Sequence, residues 1–482
     1  MRLACAPALA TLSTMLLRLA CLLLATLSLA TVSLSAVEGG TLEKDLWYVG
    51  TIAGQPAASM HATVHRHPDG SRTSVGETRI VLKRVLAGTT TAFTMSESQT
   101  IEEDADGKVT SFRLEQDQNG SLTTAAGKVI GREVHATVHR LDRATDQRIT
   151  IPDGIELLGQ QSGQDLLVRQ PPAVGGTVTS GSLALLGQVQ VLTTTATLLE
   201  KRPEGLRYRL ATDIAPPATA LIDAEGDLVS MEMDAVVFKI VLTRSDGPVA
   251  LLGAELAPAD LVKCAGAPPR PQAENRYRMP PAALAALPAD PFQRLADGLL
   301  VVASTAAKSP LPEPAPFLAA EPQLELDDPE MRAWVAAIVA RPHADTAELA
   351  EDVRLRVRAR IVAKDLSKGD GTALETFRDR RGDCTEHANL LCAALRLANI
   401  PARSEVGVVY VPDIGGWVGH AWNSAWWDGR WHHLDSAYPG IERSMYLKFG
   451  TTSGDDQMGT LAAMTKAFTH LAGATVETVP TP

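Results

Sequence analysis

The chain reads as an α+β protein in two parts, a β-rich first half forming a curved sheet or open barrel, then a half in which helices lead into a short sheet. Three observations predict this. From about Asp45 to Val262, short runs rich in Val, Thr and Leu alternate apolar and polar residues at period two between turn dipeptides. Beyond residue 328 the apolar positions recur at helical spacing instead. Six of the seven tryptophans lie beyond residue 330, so the halves differ in composition as well as in pattern.

The first 36 residues carry Arg2 and Arg18, no acid, and the apolar run LACLLLATLSLATVSLSA ending in small residues before Val37-Glu38-Gly39. This is the pattern of an export signal, with Ala30 or Ala36 as the residue before cleavage and Met15 as a second start. Left uncleaved, an apolar run of about 17 residues sits at the lower limit of a membrane span, which is the only membrane attachment expected. Arg18, three positions before Cys21, argues against lipoprotein processing there. Net charge is −11. So acidic a chain is a poor partner for nucleic acid or an anionic membrane. Without the signal three cysteines remain, Cys264, Cys384 and Cys392. They are too few for a disulfide framework and have no metal-ligand spacing.

Residues 40–262 make the β-rich domain. ETRIVLKRV, KVTSFRLEQ, VQVLTTTATLL and AVVFKIVLTR read as half-buried strands, and Asp69-Gly70, Asp106-Gly107, Asn119-Gly120 and Asp153-Gly154 read as turns. No helix is predicted here. The hexapeptide HATVHR occurs at 61–66 and 135–140. In a strand its two histidines share a face. Four histidines invite a metal reading, but no carboxylate or cysteine recurs with them, so two equivalent strands with outward histidines are expected and no metal. Residues 263–327 are Pro- and Ala-rich, a linker or packed connection in which DGLLVVAST reads as one strand.

The remainder, 328–482, opens with Asp328-Pro329, a helix start, and Asp345 caps a second helix whose Leu349, Val353, Val357 and Ile361 form one apolar stripe. After ALETFRDRR comes GDCTEHANLLCAALRLANIPAR. Its Ala388, Leu391, Cys392, Leu395 and Ala398 share a helix face that ends near Asn399, before Ile400-Pro401. Cys384 therefore sits at a helix N-terminus, where unpaired N–H groups and the dipole favour a thiolate and can hold an oxyanion. Asp383 opposes the thiolate by charge but also suits the helix cap. Cys392, two turns on, belongs to the packing face.

HAWNSAWW and RWHHLD flank Asp428-Gly429, a two-residue hairpin turn. That turn pairs Trp427 with Arg430, Ser424 with His433 and, extended, Trp422 with Asp435. His420 and Asp435 then lie as diagonal neighbours on one face, about 7–8 Å apart at the backbone and closer at the side chains. This is the spacing at which an aspartate orients an imidazole. His433 shares the face but stands two residues from Asp435 on one strand. His432 points away, and His387 reads as helix surface or a supporting group.

These motifs, GDCTEHANLLCAALRLANIPAR, HAWNSAWWDGRW and HLDSAY, resemble the transglutaminase-like superfamily in its bacterial exported branch, over roughly 330–450. The resemblance implies a papain-like α+β domain with Cys384, His420 and Asp435 as a catalytic triad; the sequence shows no calcium-loop signature, and no cofactor is expected. Ser424 departs from the family, whose members often carry an acid at that position. The expected function is cysteine-dependent acyl transfer on peptide or isopeptide amide bonds outside the cytoplasm, in the periplasm or beyond. Hydrolysis is preferred to amine cross-linking, and the substrate is a peptide or protein, with cell-envelope components as candidates. The competing class is a non-catalytic binding or scaffold module of the envelope.

Overall fold

The structure, a computed structural model, describes residues 40–86, 89–212, 215–234, 239–256, 262–309, 311, 313–365, 371–413, 415–438, 440–451, 470–471 and 473–480. The expected signal, residues 1–36, lies outside the described residues. Strand outweighs helix, 52% against 18%, because nearly all helix falls in the second half. The chain divides into two compact units, one reaching to residue 256 and one from 257 on, with residues 85–89 grouped with the second.

The first unit is an antiparallel meander. It runs β1 (Thr41–Ile52), β2 (Gln55–Arg66), β3 (Arg72–Leu86), β4 (Thr89–Glu103), β5 (Val109–Gln118), β6 (Ser121–Ile130), β7 (Glu133–Arg140) and β8 (Arg143–Thr150). After helix α1 (Gln160–Arg169) follow β9 (Thr177–Leu185), β10 (Val189–Arg202), β11 (Gly205–Thr212), β12 (Ala215–Ile222), β13 (Leu228–Asp234) and β14 (Lys239–Ser245). Sequence neighbours pair except β8 with β9, and β1 pairs with β14, so β8 and β9 are the two sheet edges. A short β15 (Ala254–Leu256) adds in parallel to β3. The sheet curls until its ends share one core: Phe112, Leu114, Val134 and Val138 pack with Leu183, Leu185 and Val189. Two hydrogen bonds tie the ends, Gln116 Nε2 to the Leu185 carbonyl at 3.1 Å and the Val189 N–H to Gln147 Oε1 at 3.0 Å. At the β5–β6 turn Asn119 and Gly120 both have positive φ, as a two-residue hairpin demands.

The sequence predicts no helix here, so α1 is a correction. QQSGQDLLVR carries an internal glycine and no side-chain cap, so local propensity is weak. Tertiary polar contacts hold it: Asp165 accepts from the buried Arg72 at 2.9 Å, Ser162 donates to Glu103, and Tyr208 donates to the Leu167 carbonyl at 2.8 Å. Both HATVHR copies lie in strands with Ala62, Val64, Ala136 and Val138 buried and the histidines on the other face. His61 bonds Asp45 and stacks on Trp47, while His135 bonds Glu133.

The second unit begins with β16 (Val262–Ala265), β17 (Glu274–Arg278), α2 (Pro281–Ala286), β18 (Gln293–Ala296) and β19 (Leu299–Ala303). With β26 (Ala474–Val479) these strands form a five-stranded sheet, so the Pro-rich stretch is packed structure rather than a free linker. Helices α3 (Pro329–Val339) and α4 (Thr346–Arg360) are capped by Asp328 and Asp345 as expected. Then come β20 (Ala363–Lys364), α5 (Ala373–Asp379), β21 (Arg381–Gly382) and α6 (Cys384–Leu397). A four-stranded antiparallel sheet follows in the order β24 (Arg430–Leu434), β23 (Gly416–Trp427), β22 (Ala402–Val411), β25 (Tyr446–Thr451). Val353, Val357, Leu390, Leu391 and Leu395 build the core shared by α4, α6 and this sheet.

Candidate active site

The motif GDCTE builds a helix start around one buried glutamate. Asp383 is the N-cap of α6, its carboxylate accepting from the Thr385 N–H at 2.9 Å. Glu386 completes a capping box by accepting from the Asp383 N–H at 2.8 Å. Its other oxygen accepts from the Gly371 N–H, also at 2.8 Å. Burial, then the charge of Asp383, raises the Glu386 carboxyl well above its ordinary range. A Cβ on Gly382 would lie 2.4 Å from Glu386 Cβ, so only glycine fits before the cap. Cys384 is the first residue of α6 and is fully buried.

The Asp-Gly turn sets the predicted register as far as Asn423 and Leu434, with Ser424 opposite His433. Beyond Leu434 the chain leaves the sheet, so the extended pairing of Trp422 with Asp435 does not form. Asp435 instead turns the chain, its Oδ1 accepting from the N–H groups of Ala437 at 2.8 Å and Tyr438 at 2.9 Å. The side chain still reaches His420: Nε2 and Oδ2 are 2.6 Å apart, both residues buried. Tyr446 donates its hydroxyl to the same oxygen at 2.9 Å. Burial opposes the Asp435 charge, but His420 and the backbone donors outweigh it and hold the carboxyl well below the usual carboxylate range. Burial, then Asp435, drives the Tyr446 phenol well above its own. His420 Nδ1 is buried without a hydrogen-bond partner among the described residues, and Trp422, Tyr438 and Tyr446 surround the ring.

His420's strand lies against the helix that Cys384 opens. Ala421 packs with Ala388, one turn past the cysteine, and Asn423 Nδ2 donates to the Ala388 carbonyl at 3.0 Å. Cys384 lines a cavity of about 200 Å³ together with Ser436 and Ala437, the residues that follow Asp435. Arg358, Ile361, Lys364, Asp383 and His387 complete its main walls.

The other candidates separate by environment. His432 stacks on Trp427 at 3.7 Å, away from Asp435. His433 packs edge-on to Tyr446, and burial lowers its imidazole to about 3. His387 is not simple helix surface: its Nδ1 lies 3.0 Å from Ser436 Oγ, and burial lowers it to about 4, so it is neutral. Cys392 is packing, its thiol pushed up to about 11 by burial. Ser424 is buried. Sequence reasoning missed Tyr446, which no motif marks, and Arg354, whose guanidinium donates to the Asp435 carbonyl at 3.1 Å. The signal for Glu386 was present, an acid three residues past the cap.

Residues 332–436 match the family described as the Transglutaminase-like superfamily. No curated protein matches the chain. Among solved structures, a protein of Cytophaga hutchinsonii provisionally named a cysteine protease is 12% identical, over 46% of this chain and 81% of that one, at a TM-score of 0.27. The periplasmic domain of TgpA from Pseudomonas aeruginosa, bound to ethylmercury, is 15% identical over 55% and 86%, at 0.22. A β-barrel-like protein of unknown function from Brucella abortus is 13% identical over 42% and 95%, at 0.32. Overlaps this loose carry no weight for fold or function, and the family match rests on the sequence segment that holds the cysteine, the histidine and the aspartate. The second half of this chain therefore carries a core domain of the transglutaminase-like superfamily, at residues 332–436.

Proposed function

We propose that the chain is an exported cysteine-dependent acyl-transfer enzyme acting on peptide or isopeptide amide bonds, with residues 328–482 in a papain-like α+β arrangement. Cys384 is the nucleophile, His420 the proton carrier and Asp435 the carboxylate that orients it. The observation that carries the reading is the buried 2.6 Å contact between His420 Nε2 and Asp435 Oδ2, which leaves Nδ1 without a partner among the described residues. Nδ1 is thus the nitrogen that exchanges a proton with the thiol, and Asp435, kept ionised by its four hydrogen bonds, stabilises the imidazolium.

In the first step the Cys384 thiolate bonds to the acyl carbon, the C–N bond breaks, and His420 Nδ1 gives its proton to the leaving amine. In the second, water attacks the thioester, Nδ1 takes its proton, and the C–S bond breaks, releasing the acid and restoring the Cys384 thiolate beside the His420 imidazolium. N–H groups of the first turn of α6 face the developing oxyanion. Water is the proposed acceptor, in keeping with the hydrolases that the resemblance implies. The export pattern of residues 1–36 supports a location for this chemistry in the periplasm or outside the cell.

The test is product analysis on a peptide library, with and without an added primary amine. Chain cleavage unaffected by the amine is the expected result. Ammonia release with amine incorporation would make the enzyme a cross-linking transglutaminase. No turnover, together with unchanged behaviour of Cys384→Ala, would favour the scaffold reading.

A further inference from the structure

Two cations stand in the wall of the Cys384 cavity with no carboxylate bound to them among the described residues. Arg358 makes only long contacts, 3.4 and 3.5 Å, to the carbonyls of Ser436 and Ala437, and no ion pair among the described residues. Its neighbours on α4 are paired: Arg354 with Glu351 and Arg356 with Asp352. Lys364, on β20, likewise has no ion pair among the described residues, although the adjacent Asp365 pairs with Arg381. The acid in the same wall, Asp383, uses one oxygen to cap α6. Proton transfer from Cys384 to His420 changes no net charge, so the cations outnumber Asp383 by one at every stage. The remaining walls are the apolar Ile361 and Val362 and the neutral His387, Ser436 and Ala437.

We infer that Arg358 and Lys364 form a carboxylate subsite beside Cys384, so that the preferred substrate carries a carboxylate next to the acyl group that reacts. This rests on Cys384 being the nucleophile. The carboxylate belongs either to the free C-terminus of a peptide or to an acidic side chain. Both present the same planar anion to a guanidinium and an ammonium, and a cavity of about 200 Å³ holds one short acidic group. A burial effect lowers Lys364 to about 8, with Cys384 and Asp383 opposing it. A bound anion would restore its charge fully.

The experiment compares two alkylating reagents of one size on the full chain: iodoacetate, which is anionic, and iodoacetamide, which is neutral. In each, the Cys384 sulfur bonds to carbon as iodide leaves, and the rate is read by mass spectrometry at the Cys384 peptide. The readout is the iodoacetate-to-iodoacetamide rate ratio, which cancels changes in the thiolate fraction. We expect the wild-type ratio to exceed that of Cys264 about fivefold, the upper end for one solvent-exposed ion pair. Arg358→Gln and Lys364→Gln each lower it, and Arg358→Lys retains most of it. A ratio equal to that of Cys264 and indifferent to all three variants overturns the subsite. If Cys384 labels no faster than Cys264 with either reagent yet keeps a high ratio, the nucleophile reading falls while the anion site stands. Protection from iodoacetate by two peptides then names the source, one with a free C-terminus and neutral side chains, one amidated with a glutamate. Protection by the first or the second identifies the carboxylate, and protection by neither overturns the proposal.

Discussion

Asp435 is held from four directions, by two backbone N–H groups, a tyrosine hydroxyl and an imidazole. That is more support than a charge-balancing acid needs, and each contact has a separate consequence. Asp435→Asn removes the charge and offers His420 the wrong partner, so turnover should fall about 10²–10⁴-fold with the fold intact. Steady-state kinetics together with circular dichroism check this. Tyr446→Phe removes one donor from a buried carboxylate and should cost about 1–3 kcal/mol in urea unfolding, with the His420 contact kept. A loss below the measurement error would show that Tyr446 is packing alone. The nearness of His420 and Asp435 was expected from the register of the Asp-Gly turn, although that register ends at Leu434 and Asp435 reaches the histidine from the turn that follows. Tyr446 was not, since a strand pairing β25 with β22 brings it in and no local pattern announces that pairing.

At the scale of elements, the start of α6 combines a cap, a buried glutamate and a glycine with no room beside it. Gly382→Ala would drive a methyl group into Glu386, at a cost of about 1–3 kcal/mol typical of overpacking. The expected outcome is a lowered melting temperature and slower alkylation of Cys384 together. A variant of wild-type stability and reactivity would mean the helix start is not built as described. The helices α3, α4 and α6 were readable from their caps and apolar stripes, because those signals are local. Helix α1 was not, because Arg72, Glu103 and Tyr208, distant in sequence, hold a segment of poor propensity. Asp435 leaves its strand for a similar reason. Its side chain captures the N–H groups two and three residues on, and side-chain capture of backbone defeats a ladder extrapolated from a turn.

At the scale of the molecule, the stretch read as connection supplies buried charge to the four-stranded sheet. Asp290 and Glu405 both bind Lys448, at 2.9 and 2.5 Å, and Glu405 also binds Arg403 at 2.7 Å. Lys448→Met leaves two buried acids short of a partner and should cost about 3–5 kcal/mol, read as a loss in urea midpoint. Proline and alanine content hid this role, since composition shows flexibility and not which acids reach inward. Acid should also unfold the protein in a defined order. His433 and His387 are held neutral, at about 3 and about 4, so an unfolded chain binds more protons than the fold once pH drops below about 6.5. Their contribution is complete above that pH and is lost as pH falls toward 4. Asp435, depressed in the fold, adds its own loss only below about 4, the ordinary carboxylate range. Unfolding free energy measured from pH 7 to 5 should therefore decline, and His433→Asn should flatten the slope. A flat wild-type profile would contradict the assignment.

In the proposed chemistry, His420 and Asp435 activate Cys384. The direct measurement is the rate of iodoacetamide alkylation at each cysteine near neutral pH, in wild type and in His420→Ala. Cys384 should label at least about tenfold faster than Cys264 and Cys392, as a thiol activated by an adjacent base does, and His420→Ala should remove the advantage. Equal rates at the three cysteines, or a Cys384 rate indifferent to His420, would contradict it.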